Sequence, residues 1–440
     1  MTNPKGHPKG LYLLFTVEMW ERFSYYGMRA LLIFYLTKTW VDGGLGINEQ
    51  TGSLIYGFFT GFVYFTPIIG GWLADNFLGQ RKSISIGAFT MMAGQFCLAF
   101  EQSKTFLFIG LALLIIGNGF FKPNISVLVG QLYEPNDKRK DSAFTIFYMG
   151  INLGALMAPL ITGYLAVRYN YNYGFLAAGI GMLLGQLFFL SLGNKYLGDI
   201  GKYPSVKNNA QHNDTSKKPL TKEEKERTAV IFILVGFVIF FWAGFEQAGS
   251  SISLYTDKFI DRSVFGFTIP SEWFQSVNPL FIVLLAPLFT LLWNGMANKG
   301  KEPNIPVKMG MGMILLGLGF IFMVGAVMER GENSADITIK ANLAWLVFAY
   351  LIHTTGELCL SPIGLSMVSK LAPVKLASLL MGVWLLSSFV ANIAAGFLAS
   401  SVSSLGAMTV FASITVVSVL LGLVLLLINK RLSKMMHLNK

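Results

Sequence analysis

The sequence predicts an all-helical integral membrane protein with twelve transmembrane helices in two bundles of six. Three observations carry this. Of 440 residues, 53% are hydrophobic and only 13% charged, with 37 Phe, 46 Gly and a mean hydropathy of +0.56, more apolar surface than a soluble core of this size can use. Apolar runs of about 20 residues, the length a bilayer core demands of a helix, recur along the whole chain. The one long polar stretch, 194–227, falls between the sixth and seventh of these runs.

The spans are placed near 11–37, 51–74, 83–101, 105–129, 142–167 and 174–193, then 228–254, 273–296, 306–328, 342–369, 376–399 and 405–429. This divides the chain into a bundle at 1–193, a linker at 194–227 and a bundle at 228–440. The linker is rich in Lys, Asn and Glu and lacks apolar periodicity; its end, Thr221-Lys222-Glu223-Glu224, has the spacing of a capping box that starts span seven. A 6+6 pattern around a central loop predicts two pseudo-symmetric bundles about a midplane cavity, the architecture of major facilitator transporters.

Lys and Arg set the orientation. With the N-terminus inside, the inner segments hold Lys5, Lys9, Arg81, Lys82, Lys138, Arg139, Lys140, Lys299, Lys301, Lys308, Lys370, Lys375 and a basic tail at Lys430, Arg431, Lys434 and Lys440, besides the linker. The outer loops hold far fewer, among them Lys38, Lys104 and Arg168. This asymmetry places both termini in the cytoplasm of a multi-pass protein. It also accounts for the formal charge of +11 without nucleic acid. The segment before span one is short and polar, unlike a cleavable signal. Cys97 and Cys359 both fall in apolar spans, where packing is the expected role. No histidine, cysteine or carboxylate spacing suits a metal, and no glycine-rich phosphate loop follows a strand, so the sequence excludes an enzyme, a metal centre and a bound cofactor.

Function is expected where charge enters the apolar spans: Glu18, Glu21, Arg22, Arg29, Lys122, Glu246 and Glu357. Each charge near a bilayer centre costs about 2.5–3.5 kcal/mol on insertion scales, so these side chains are expected to face inward and pair. At 3.6 residues per turn, Glu18, Glu21, Arg22, Tyr25 and Arg29 share one broad face of span one. Counting about 1.5 Å per residue, Arg29 and Glu246 both lie roughly 27 Å from the inner ends of their helices, and Lys122 and Glu357 roughly 20–25 Å from the outer ends. Arg29–Glu246 and Lys122–Glu357 are therefore expected as one ion pair near each mouth, which alternating access requires because one must break as its side opens. Three cations facing four carboxylates leave one carboxylate without a full partner, and that group is expected to take up a proton. Pro67, Pro123, Pro159, Pro279, Pro287 and Pro362 interrupt the hydrogen bonding of their spans, and Pro123 and Pro362 mark candidate hinges beside Lys122 and Glu357. His353, one turn before Glu357, is expected to be a packed side chain.

Several motifs carry a family resemblance. Gly70-Gly71-Trp72-Leu73-Ala74-Asp75-Asn76-Phe77-Leu78-Gly79-Gln80-Arg81-Lys82 resembles the facilitator-superfamily loop between the second and third helices. Glu18-Met19-Trp20-Glu21-Arg22-Phe23-Ser24-Tyr25-Tyr26 resembles the Glu-x-x-Glu-Arg-Phe-x-Tyr-Tyr signature of the proton-dependent oligopeptide transporter family. The stretches Phe147–Gly154, Phe241–Gln247 and Gly356–Pro362 agree with it. The resemblance implies a proton-coupled symporter of di- and tripeptides in the bacterial inner membrane, functional as a monomer, with the proton as its coupling ion. It implies proton coupling through Glu18, Glu21, Arg22 and Glu246, gates at the two pairs above, and substrate contacts from Arg22, Lys122 and Glu357. It further implies a cavity lining of Tyr25, Tyr26, Tyr64, Asn152, Asn278, Trp242, Trp384 and Ser388. Arg22 and Lys122 suit a peptide carboxylate, and Glu357 its amine. Many bacterial members carry two more spans between the sixth and seventh, where this chain has only the polar linker, and animal members carry a histidine in span two that is absent here. A transporter of another small anion or drug-like molecule, or a peptide receptor that does not transport, are the alternative readings.

Overall fold

In the computed structural model, described residues are 6–134, 137, 139–204, 219–331 and 336–438, with backbone alone at 362, 363, 365, 366, 369, 374 and 378. Lys5, Lys138, Lys440 and the middle of the linker, 205–218, lie outside them. Helices dominate: α1 Lys9–Thr37, α2 Glu49–Leu73, α3 Gln80–Phe100, α4 Lys104–Gln131, α5 Arg139–Arg168, α6 Tyr171–Leu197, α7 Lys222–Phe245, α8 Ser251–Phe259, α9 Val277–Asn298, α10 Ile305–Arg330, α11 Leu343–Leu371, α12 Ala377–Leu405 and α13 Ala407–Met436. A hairpin of two two-residue strands, β1 Ser263–Val264 and β2 Phe267–Thr268, turns through Phe265 and Gly266, both at positive φ, as a tight hairpin requires.

Among the described residues, eleven segments are long and apolar enough to cross a membrane. The twelfth predicted span, α1, has the length but not the hydropathy, because Glu18, Glu21, Arg22 and Arg29 are spread along it. Its burial shows why the charges are tolerated: side chains on every face are buried, so α1 runs through protein.

Three elements differ from expectation. Span seven is not one helix: α7 ends at Phe245, a 3-10 turn covers Glu246–Gly249, and α8 starts at Ser251. The motif at 70–82 is scarcely a loop. Helix α2 continues as a π turn over Ala74–Leu78, Gly79 turns the chain at φ 77°, and α3 begins at Gln80. Lys308, read as an inner-loop cation, is buried in the first turns of α10 beside Glu302, with its ammonium 4.5 Å from the Trp293 ring. The capping box forms as its spacing predicts: Glu224 N–H donates to Thr221 Oγ1 at 3.2 Å and Thr221 N–H to Glu224 Oε2 at 2.8 Å. The expected hinge prolines Pro123 and Pro362 lie within unbroken α4 and α11.

The chain forms two compact units. One comprises the described residues of 1–48, 62–212 and 272–279, the other those of 49–61, 213–271 and 280–440. In the first, α1 packs on α5 and α6, and α3 on α4 and α6. In the second, α10 packs on α11 and α13, and α7 on α12.

Candidate functional site

In the first unit the site is built on α1. Glu18 and Arg22 are one turn apart, and Glu21 precedes Arg22 directly. Neighbouring residues on a helix do not normally face each other, yet burial leaves the Arg22 fork nothing better than the two carboxylates beside it. Arg22 Nη2 donates to Glu21 Oε1 at 2.7 Å, its Nε donates to Glu21 Oε2, and Nε lies 3.2 Å from Glu18 Oε1. All three are at most 3% exposed. The other Glu18 oxygen, Oε2, is buried with no hydrogen-bond partner among the described residues. The guanidinium also lies 5.3 Å from the Tyr25 ring centre and 5.9 Å from that of Tyr26, and the two rings meet edge to face at 5.3 Å. Of the predicted stripe, Glu18, Glu21, Arg22 and Tyr25 thus form one cluster, which Tyr26 joins from outside the stripe.

Small residues let the neighbouring helices reach it. Gly154 brings α5 so near that a Cβ there would lie 3.0 Å from Arg22 Cβ and would overlap the Met19 carbonyl. The resemblance motif Phe147–Gly154 therefore has a packing reason in this chain. Lys122 is set by the seam between α2 and α4. Pro123 lacks the N–H that would bond the Gly119 carbonyl, and that carbonyl is where a Cβ on Gly70 would collide. Along the same seam Thr66 Oγ1 donates to the Ile115 carbonyl and Asn118 Nδ2 to the Val63 carbonyl, each at 2.8 Å. These contacts put the Lys122 ammonium 4.3 Å from the centre of the Tyr64 ring, a cation–π arrangement. Asn152 is buried with its amide donating to the Tyr148 carbonyl one turn back at 2.9 Å. Asn278, in the second half of the chain, belongs to this unit and is half-buried at the start of α9, and Arg29 is half-buried on α1.

In the second unit Glu246 is 7% exposed at the break between α7 and α8, and Glu357 is 8% exposed in α11. Trp242 stands edge to face with both Phe241 and Phe245, at 5.3 Å each. Trp384 is buried on α12 and Ser388 half-buried one turn on. His353 is buried, its ring 4.7 Å from Phe320 and seated where Gly319 has no side chain, a packed position.

Some polar groups escaped sequence reasoning. Lys308 was missed because it lies at the edge of its span. Glu272, one residue before the predicted span eight, is buried and accepts a hydrogen bond from the Tyr171 hydroxyl at 3.1 Å. Gln95 donates to the Ser24 carbonyl and hydroxyl, both at 3.1 Å, tying α3 to the charged helix. A glutamine inside span three was the available signal. Cys97 and Cys359 are free thiols. Among the described residues no group of three or more His, Cys, Asp or Glu could hold a metal ion.

A membrane-spanning helical fold with a buried charged cluster at the heart of one unit defines the class: a multi-pass membrane transporter. The profile of the POT family matches residues 81–210 and 204–417, and the chain belongs to that family. It is 34% identical to the peptide transporter YePEPT of Yersinia enterocolitica, over 98% of this chain and 96% of that protein. With the di-/tripeptide transporter of Lactococcus lactis subsp. cremoris it shares 32% identity, over 98% and 97%. The fold matches a crystal structure of a peptide transporter of this family in complex with sulfate, with a TM-score of 0.90, 35% identity and coverage of 99% and 97%. A family transporter solved with 5-aminolevulinic acid matches with a TM-score of 0.89 at 32% identity, covering 98% of both chains.

Proposed function

We propose that this protein imports di- and tripeptides by proton-coupled symport, moving them by alternating access between bundles at 1–193 and 228–440 joined by the linker at 194–227. The observation that carries the proposal is the buried Glu18–Glu21–Arg22 cluster. Two carboxylates share one guanidinium out of reach of bulk water, and one carboxylate oxygen has no hydrogen-bond partner among the described residues. A proton is the smallest partner that can satisfy such a group. The names of the relatives support peptides as cargo.

In this reading Glu18, Glu21, Arg22 and Glu246 couple the proton, and Arg29–Glu246 and Lys122–Glu357 are the two gates. Arg22 and Lys122 hold the peptide carboxylate, Glu357 its amine. Tyr25, Tyr26, Tyr64, Asn152, Asn278, Trp242, Trp384 and Ser388 line the cavity. Competition of the peptide ends for Lys122 and Glu357 opens the inner gate. A zwitterionic peptide adds no net charge, so each proton makes the cycle electrogenic, and 100 mV contributes about 2.3 kcal/mol per charge. The protein acts as a monomer in the bacterial inner membrane with both termini cytoplasmic. It needs no cofactor.

Uptake of a labelled dipeptide into proteoliposomes with a more acidic exterior tests this. Accumulation above equilibrium is expected for the wild type, and Glu21→Gln should lose gradient-driven accumulation while keeping counterflow exchange. Binding without accumulation would make the protein a receptor. The relative solved with 5-aminolevulinic acid, an amino acid that is not a peptide, favours one second reading, transport of other small amino-carboxylates, for which competition by that compound is the readout.

A further inference from the structure

Where α3 begins and α6 ends, a groove of about 770 Å³ opens in the first unit, away from the α1 cluster. Three cations line it, Arg81, Lys82 and Lys202, and among the described residues no carboxylate does. Arg81 spends its guanidinium on neutral acceptors, Asn194 Oδ1 at 2.7 Å and the Gly198 carbonyl at 2.9 Å, which orient the group without cancelling its charge. Lys82, one residue on, is exposed. Among the described residues neither has a carboxylate at ion-pair distance; only Lys202 does, bonding the exposed Asp199 at 2.8 Å. The nearby Asp75 accepts a hydrogen bond from Gln80 at 2.8 Å. Beyond Ser85 and Tyr203 the groove turns apolar and open: Ile86, Phe89 and Leu190, between 41% and 50% exposed, run away from the cations along α3 and α6. Both are membrane-spanning helices, so their outward apolar side chains face acyl chains.

A surplus of positive charge at a helix end, continuous with an apolar channel along the span, has the polarity of a lipid: an anionic head at the boundary and tails in the core. We infer that the groove between α3 and α6 is a binding site for an anionic glycerophospholipid, its phosphate held by Arg81, Lys82 and Lys202 and its acyl chain laid over Ile86, Phe89 and Leu190. Arg81 ties α3 to the end of α6 through Asn194 and Gly198, so the bound phosphate clamps the two helices where they meet.

The test measures lipid binding to the purified full chain by native mass spectrometry from micelles containing phosphatidylglycerol or phosphatidylcholine. Phosphatidylglycerol should bind about tenfold more tightly, as expected for two uncompensated cations near a low-dielectric surface, and Lys82→Ala with Lys202→Ala should bring the two lipids level. Ile86→Trp, which fills the apolar channel and leaves the cations in place, should weaken phosphatidylglycerol but not glycerol 1-phosphate. Equal binding of the two lipids by the wild type, or a preference that survives the double substitution, overturns the inference. So does an Ile86→Trp variant that binds phosphatidylglycerol unchanged, which would make the groove a site for free phosphate.

Discussion

Helices α1 and α7 both carry buried carboxylates deep inside apolar sequence, yet α1 runs unbroken for 29 residues while α7 stops at its carboxylate. On α1, Glu18, Glu21 and Arg22 lie within about one turn, so the helix brings its own counter-charge and the ion pairs close over it without disturbing the backbone. On α7, the positions three and four residues either side of Glu246 are Trp242, Ala243, Gly249 and Ser250, so the counter-charge has to come from another helix. The backbone gives way there, and side chains take up what the break releases. Gln247 donates to the Ala243 and Ala395 carbonyls at 2.9 and 3.1 Å, Ser251 donates to Gln247 Oε1 at 2.7 Å, and Ser253 to the Ala248 carbonyl at 2.7 Å. A helix bends or breaks where side chains enter its backbone hydrogen-bond ladder, as Gln247 and Ser253 do here. In the proposed cycle α1 would hold the proton and the break after α7 would bear a gate.

The largest expected effect tests the self-contained nature of the α1 cluster. Arg22→Ala strands two buried carboxylates and should cost about 3–5 kcal/mol, read as a drop in thermal unfolding temperature in detergent. Glu246→Gln removes a charge without stranding another on its own helix and should cost less than Arg22→Ala does. Equal losses would break the comparison. Next, Gly154→Val pushes α5 off the face that carries Arg22, for about 1–3 kcal/mol of overpacking, and should reduce dipeptide uptake in proportion to the displaced guanidinium. An unchanged melt would mean that α5 does not hold the cluster.

Gln247→Ala removes two donors from the break and should cost about 1–2 kcal/mol, with faster amide exchange confined to 243–251; protection unchanged there would show that the break is held by packing instead. The smallest effect lies in water. Hydrogen bonds from Arg139 hold the Asp137 carboxyl down to about 2. Because the folded value is depressed, its contribution is present above the usual carboxylate range, near 4, and is lost as pH falls through about 2. The melting difference between wild type and Asp137→Asn should be small at neutral pH and vanish in acid. A difference comparable to that of Arg22→Ala would deny that burial sets the worth of a charge.

Much of this was legible in the residues alone. Apolar length located the spans because the bilayer sets a fixed thickness, helical period placed Glu18, Glu21, Arg22 and Tyr25 together because the helix fixes their angles, and Thr221–Glu224 announced its cap because capping is local. The break at Glu246 was not legible: no proline marks it, and one of the carbonyls that stabilise it, that of Ala395, is 148 residues away. Nor was the burial of Lys308, whose position at a span's edge reads equally well as loop, nor the bond from Gln95 to Ser24. Lys122 was picked out by its charge, but its seat over Tyr64 depends on a proline that frees one carbonyl and a glycine on another helix that can approach it. The sequence by itself determined what lies within a few turns of one helix: where each span runs and which side chains share a face. Only the tertiary structure decided how deeply a charge is buried and which distant backbone satisfies it, because those energies arise between helices that the order of residues does not place side by side.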